Sequence, residues 1–170
     1  MKTKLSSNSP IGVFDSGLGG LTVLKSLEKI LPNESFIYFG DTAHVPYGTK
    51  SADTIIKYSH IILDFFSQHH TKAVVIACNT ASAVAYHTLQ KNHSIPLFDV
   101  VSPSVEFALK QSKTKHIGII GTTSTVNSKA YSRQFLQKNA NFSVHEIPCP
   151  LFVPIIEEGW ADTEIAKEIA

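Results

Sequence analysis

The run Ala73-Val74-Val75-Ile76, leading into Ala77-Cys78-Asn79-Thr80-Ala81-Ser82-Ala83-Val84-Ala85, constrains the fold of this chain more than any other stretch. Its first half is a short β-branched apolar run, which reads as a strand buried on both faces, and its small, alanine-rich second half reads as a helix. Cys78 lies at the switch. With Asn79 or Thr80 as the expected N-cap, the thiol would sit where unpaired backbone N–H groups and the positive end of the helix dipole converge, which favours a thiolate. The favour is modest, because a helix terminus contributes roughly 0.3–1 kcal/mol and about 2 when partly buried. Any further activation has to come from neighbouring groups. The plain alternative is a small buried hydrophobe at a strand end, a common fate of free cysteine.

The same unit recurs. Ile11 to Asp15 reads as a strand, Ser16-Gly17-Leu18-Gly19-Gly20 as a tight loop, and Leu21, Leu24, Leu27 and Leu31 as the buried stripe of a helix stopping before Pro32. The loop fits neither nucleotide fingerprint: its glycines are too compressed for GxGxxG, and no Gly-Lys-Ser/Thr follows. A sharp turn is the bland reading, but Asp15-Ser16 at a strand's carboxyl end stands where open α/β sheets place ligands. Phe36 to Asp41 is a second strand, followed by a loop with His44, Pro46, Tyr47 and Gly48, and then a helix presenting Ile55, Tyr58, Ile62, Phe65 and Phe66 to the sheet. His69-His70 closes that helix, where cations suit the dipole; adjacent residues share no helix face, which argues against a metal pair.

Further strands are expected over Ile95 to Val101, His116 to Gly121 and Phe142 to Ile147. Ser102 or Ser104 opens a helix after the first of these, Thr122-Thr123-Ser124-Thr125 precedes a helix with Tyr131, Phe135 and Leu136, and the chain turns helical again from Leu151. Strand alternating with helix predicts an α/β fold with parallel sheets flanked by helices. The stretch Ile117 to Thr125 loosely repeats Ile11 to Gly20, which predicts two similar lobes, 11–98 and 99–170, facing each other across a cleft that holds the site. The closing helix, Thr163 to Ala170, runs in full period without a C-cap glycine or proline, so the chain is expected to be the front part of a longer polypeptide.

A net charge of +1 with scattered Lys and Arg gives no footprint for nucleic acid or an anionic membrane. The 170 residues, 43% hydrophobic and 17% charged, belong to a globular chain. Cys78 and Cys149 are the only cysteines and form no CxxC, so neither a disulfide framework nor a cysteine zinc site is expected. No apolar run approaches the ~18 residues of a membrane span, and no apolar segment follows the basic start. The expectation is a soluble, reduced, cytoplasmic protein.

Four segments together resemble the glutamate racemases of the aspartate/glutamate racemase superfamily. They are Gly12 to Thr22 (GVFDSGLGGLT), Gly40 to Gly48 (GDTAHVPYG), Ala77 to Ala81 (ACNTA), and Cys149 to Pro154 (CPLFVP) with Glu157. The resemblance covers almost all of residues 11 to 170. It implies a cofactor-independent enzyme, with no metal, that interconverts L- and D-glutamate for peptidoglycan by passing the α-proton between two cysteines on opposite faces of Cα. Cys78 matches one of these. Asp15 and Ser16, Tyr47 and Gly48, and Asn79 and Thr80 match substrate-holding positions, and Thr122 belongs to a loop that helps cradle a carboxylate. The chemistry agrees: Asp15 would raise the thiol's pKa by repulsion, so it serves better as acceptor of the thiol proton or as partner of the substrate ammonium. N–H groups at Gly48 and Asn79 and hydroxyls at Thr80 and Thr122 bind carboxylates without net positive charge.

The chain departs from the family at one place: the Cys-Thr-His segment that carries the second base does not occur in it. Cys149 aligns with a Cys-Pro pair outside proton transfer, and Glu157 is either a site carboxylate or a solvated neighbour of Glu158. Two other readings follow, a non-catalytic glutamate-binding or interaction remnant, and an acyl-transfer enzyme in which His44 or His87 activates Cys78. Homodimer formation is left open by the sequence.

Overall fold

The computed structural model describes residues 6–169; Met1 to Leu5 of the basic start and Ala170 of the closing helix lie outside the described residues. Four parallel strands, β1 (Ile11–Asp15), β2 (Phe36–Gly40), β3 (Ala73–Ile76) and β4 (Leu97–Asp99), form one sheet in the order β2-β1-β3-β4. β1 is buried throughout and pairs with both β2 and β3. Between them run α1 (Leu21–Ile30), α2 (Ala52–Gln68) and α3 (Asn79–Asn92), with single 3-10 turns at Thr42–His44 and Tyr47–Thr49. The step from β1 to β2 runs opposite to the steps from β2 to β3 and from β3 to β4. Right-handed crossovers therefore put α1 on one face and α2 with α3 on the other.

That topology explains where the core lies. Phe14, Ile55, Leu63, Phe66, Val74, Ile76, Ala85 and Leu89 form one buried cluster from β1, β3, α2 and α3. Helix α1 has no such company and contains no buried residue. The expected buried stripe is corrected accordingly: Leu24 and Leu27 are half-buried, while Leu21 and Leu31 are exposed. The leucine spacing is that of a helix, but one helix alone on a sheet face leaves its flanks open.

Beyond β4 the chain builds a second, two-stranded parallel sheet, β5 (His116–Gly121) with β6 (Ser143–Pro148), and α4 (Val101–Gln111), α5 (Thr123–Ser128), α6 (Ala130–Lys138), α7 (Phe152–Glu157) and α8 (Glu164–Ile169). Val101, Val105, Ala130, Tyr131 and Phe135 bury against Ile117, Ile119, Phe142 and Val144 on one side of this sheet. The α/β class, with parallel sheets flanked by helices, thus stands as expected. Two local expectations change. β4 spans three residues because α4 begins at Val101, and its free N–H at Ser102 is taken by Asp99 Oδ1 at 2.6 Å rather than by Ser102 or Ser104 acting as a cap. The helix expected after Thr125 is two helices, broken where Lys129 takes a left-handed φ of 55°.

Candidate active site

The reversal of strand order lies between β1 and β3, and in open α/β sheets the crevice at that point, outside the carboxyl ends of the strands, is where ligands sit. Here those ends carry Asp15-Ser16 and Ala77-Cys78. The backbone ties them together, since the N–H groups of Ala77 and Cys78 both donate to the carbonyl of Phe14, at 2.8 and 3.2 Å. A cleft of about 410 Å³ opens over this point. Its lining includes every candidate from the sequence: Asp15, Ser16, Tyr47, Gly48, Cys78, Asn79, Thr80 and Thr122.

Cys78 is itself the N-cap of α3, in place of the expected Asn79 or Thr80. Its sulfur accepts from the Ala81 N–H at 3.4 Å, and the thiol donates to Ser16 Oγ at 3.3 Å. The pull toward a thiolate expected at this position is opposed by the surroundings. Burial pushes the Cys78 thiol above its ordinary range and the Asp15 charge pushes it further, against the opposing pull of the Ser16 and Ala81 hydrogen bonds. A helix terminus is too weak to outweigh desolvation of a fully buried group. We therefore expect alkylation of Cys78 by iodoacetamide, followed by peptide mass spectrometry to separate it from Cys149, to accelerate only above the ordinary thiol range near pH ~8.5. Asp15→Asn removes the like-charge repulsion and should move that midpoint down; a wild-type midpoint at or below the ordinary range would contradict the assignment.

The glycine loop turns out to serve Asp15 rather than a phosphate. Asp15 Oδ2 accepts from Gly17 N at 3.1 Å and Gly20 N at 3.0 Å, which fixes one carboxylate oxygen. A Cβ at Gly20 would lie 2.6 Å from the Asp15 Cβ, so the loop can wrap the carboxylate only with glycine there. Tyr38 OH braces the loop from behind by donating to the Gly17 carbonyl at 2.9 Å.

Tyr47 is buried, with its ring edge-on to Phe14, and its hydroxyl donates to Asp41 Oδ2 at 2.6 Å. Burial and this bond push its pKa far up, so the phenol stays neutral. His44 occupies the other oxygen of Asp41, with Nδ1 at 2.7 Å from Oδ1. Asp41 thereby pins the turn that presents Gly48. The second lobe packs directly onto that turn: a Cβ at Gly48 would meet Thr122 Cβ at 2.6 Å, and Ser124 Oγ donates to the carbonyls of Gly48 and Lys50, both at 2.9 Å. The Oγ1 atoms of Thr80 and Thr122 lie 3.0 Å apart, and Thr125 joins them at 3.0 Å from Thr122.

Glu157, on α7, also lines the cleft, where burial, Asp15 and Glu158 raise its pKa. Cys149 does not line it; its N–H donates to the Gly121 carbonyl. His44 is engaged by Asp41, His87 is exposed, and no histidine is among the described residues lining the cleft, so Cys78 lacks the partner that acyl transfer needs. Among the described residues no group of three or more His, Cys, Asp or Glu is placed to hold a metal ion.

The sequence places Tyr131 only on a helix and gives it no role at the site, yet it lines the cleft with its hydroxyl 2.9 Å from Asn79 Nδ2. Helical spacing shows that Tyr131 faces inward but not that inward, here, is the cleft.

Comparison with known proteins agrees with this geometry. Residues 11–168 match the family described as Asp/Glu/Hydantoin racemase. The chain is 49% identical over 156 residues to a glutamate racemase of Geobacter metallireducens, covering 92% of this chain and 58% of that protein. It is 50% identical over 159 residues to a glutamate racemase of Neisseria gonorrhoeae, covering 93% and 59%. Among solved structures, glutamate racemase from Francisella tularensis in complex with D-glutamate superposes with a TM-score of 0.89 at 46% identity, over 95% of this chain and 61% of that one. Glutamate racemase isoform RacE1 from Bacillus anthracis does so with 0.92 at 36%, over 96% and 62%. The chain spans about three-fifths of the length of the curated relatives it matches.

Proposed function

Because the chain belongs to the Asp/Glu/Hydantoin racemase family, we propose that it carries the first half of a glutamate racemase site, for cofactor-independent interconversion of L- and D-glutamate. The observation that carries this reading is the meeting of one thiol, one carboxylate and a set of neutral anion-binding donors in a single cleft. Deprotonation begins with Cys78. Its proton passes to a carboxylate, for which Asp15 Oδ1 is available because the glycine loop engages Oδ2. The thiolate then takes the α-proton, leaving a carbanion at Cα. A thiol whose pKa is raised by burial is a stronger base once it is ionised, and the arriving substrate ammonium offsets the Asp15 charge. Donors at Gly48, Asn79, Thr80 and Thr122 hold the carboxylates.

The proton returned to the opposite face needs a second acid. Cys149 is outside the cleft and no Cys-Thr-His segment occurs, so these 170 residues supply one base of the pair. We read residues 11–98 and 99–170 as the two lobes, glutamate as the partner without nucleic acid or membrane, and a homodimer as the assembly. We place the protein in the cytoplasm, supplying D-glutamate for peptidoglycan and thereby cell shape; among the described residues no helix is long and apolar enough to cross a membrane.

The test is incubation of the full-length protein with L-glutamate in D₂O, following the α-proton by NMR and optical activity by circular dichroism. Exchange together with loss of optical activity is expected; neither one occurring would reject the assignment. The same 170 residues alone are expected to exchange the proton without inverting the centre, whereas binding of glutamate with no exchange at all would favour the non-catalytic reading.

A further inference from the structure

Asn79 follows Cys78 directly, and its side-chain amide donates to the hydroxyl of Tyr131 at 2.9 Å. The hydroxyl thus accepts one hydrogen bond. Among the described residues it donates none, although Tyr131 is only 8% exposed and what it lines is the cleft. A buried phenol that accepts but does not donate is incomplete, because its unused proton costs free energy until an acceptor arrives. The donors nearest to it belong to the set assigned above to carboxylate binding.

Tyr131 is held firmly for this purpose. It is the second residue of α6, directly after the left-handed Lys129 and Ala130. Glu146 reaches across from β6: its Oε1 accepts from Ser132 N at 3.0 Å, and Lys129 Nζ stands 3.0 Å from its Oε2. The lysine contact is an ion pair by distance but is too poorly angled for a hydrogen bond, which leaves Oε2 without a hydrogen-bond partner. One carboxylate therefore clamps both sides of the residue pair that launches Tyr131 into the cleft.

We propose that Tyr131 is a substrate-binding residue whose hydroxyl donates to a carboxylate oxygen of the bound amino acid, and that Glu146 is its positioning residue. This rests on the reading of the cleft as a glutamate site. It also gives the second lobe a direct contact with the substrate beyond Thr122. Occupancy completes the chain Asn79 amide, Tyr131 hydroxyl, carboxylate, next to the reacting sulfur.

The experiment is calorimetric titration of the protein with D-glutamate, paired with steady-state racemisation. Tyr131→Phe keeps the ring and loses only the hydroxyl. It should weaken binding by about ten- to a hundredfold, the range for a hydrogen bond to a charged group, and raise KM more than it lowers kcat. Glu146→Ala should weaken binding without touching the cleft, and Glu146→Gln, whose amide oxygen can still accept from Ser132, should restore most of it. Equal affinity of wild type and Tyr131→Phe overturns the role of Tyr131 while leaving the racemase reading intact. Failure of Glu146→Gln to rescue overturns the positioning role. No binding of glutamate by the wild type overturns both the inference and the reading beneath it.

Discussion

Cys78→Ser is expected to lower α-proton exchange by about a thousandfold or more, within the range by which a positioned general base accelerates proton transfer. Serine keeps the geometry: its oxygen can donate to Ser16 and accept from the Ala81 N–H as the sulfur does. What it loses is acidity, since a hydroxyl in a buried site beside Asp15 does not ionise to any useful extent. Glutamate affinity should therefore change by no more than a few-fold, because the anion-binding donors are elsewhere in the cleft. The readout is the α-proton signal of L-glutamate in D₂O at saturating substrate. Exchange within tenfold of wild type would remove Cys78 from the mechanism, and a parallel collapse of binding would mean that the variant had damaged the site.

Phe66→Ala is the corresponding prediction for the scaffold. Phe66 is fully buried on α2, edge-on to Phe39 at 6.4 Å and to Phe65 at 5.6 Å. Its ring lies over Gly12 on β1, so close that a Cβ there would come within 2.7 Å of Cδ1. Truncation leaves a ring-sized void against a glycine that cannot fill it, so the loss should fall at about 3–5 kcal/mol. Against the ~5–15 kcal/mol of a typical domain this is a large fraction. The urea midpoint should drop accordingly at unchanged slope, and a loss under about 1 kcal/mol would mean that α2 and β1 relax into the gap. Since Gly12 is three residues before Asp15, the folded remainder should still bind glutamate if the strand end is held by its own backbone bonds.

These two residues mark the two kinds of information in the chain. Phe66 was legible as core from its spacing with Ile55, Ile62 and Phe65, because a helix facing a sheet must repeat its apolar residues at the helical period. The role of Gly12 was not, because close approach of a ring to a backbone involves residues 54 positions apart and leaves no local trace. At the site, Tyr47, Gly48, Asn79, Thr80 and Thr122 came from the resemblance to the glutamate racemases, whereas Cys78 and Asp15-Ser16 could be named from their places at strand ends. The protonation of Cys78 could not. Its local setting, the N-cap of a helix, points toward a thiolate, and what opposes this is burial in the cluster with Phe14 and Tyr47 and the charge of Asp15 at the end of β1.

The sequence by itself determined the alternation of strand and helix and the parallel class, since period, β-branching and capping chemistry act within a few residues along the chain. Tertiary structure alone decided that α1 stands unaccompanied on its sheet face, that the glycine loop wraps Asp15, that Tyr131 reaches Asn79, and that the pKa of Cys78 is pushed up. Each of these depends on distances between segments far apart in sequence, and on the desolvation that arises only when those segments close over one another.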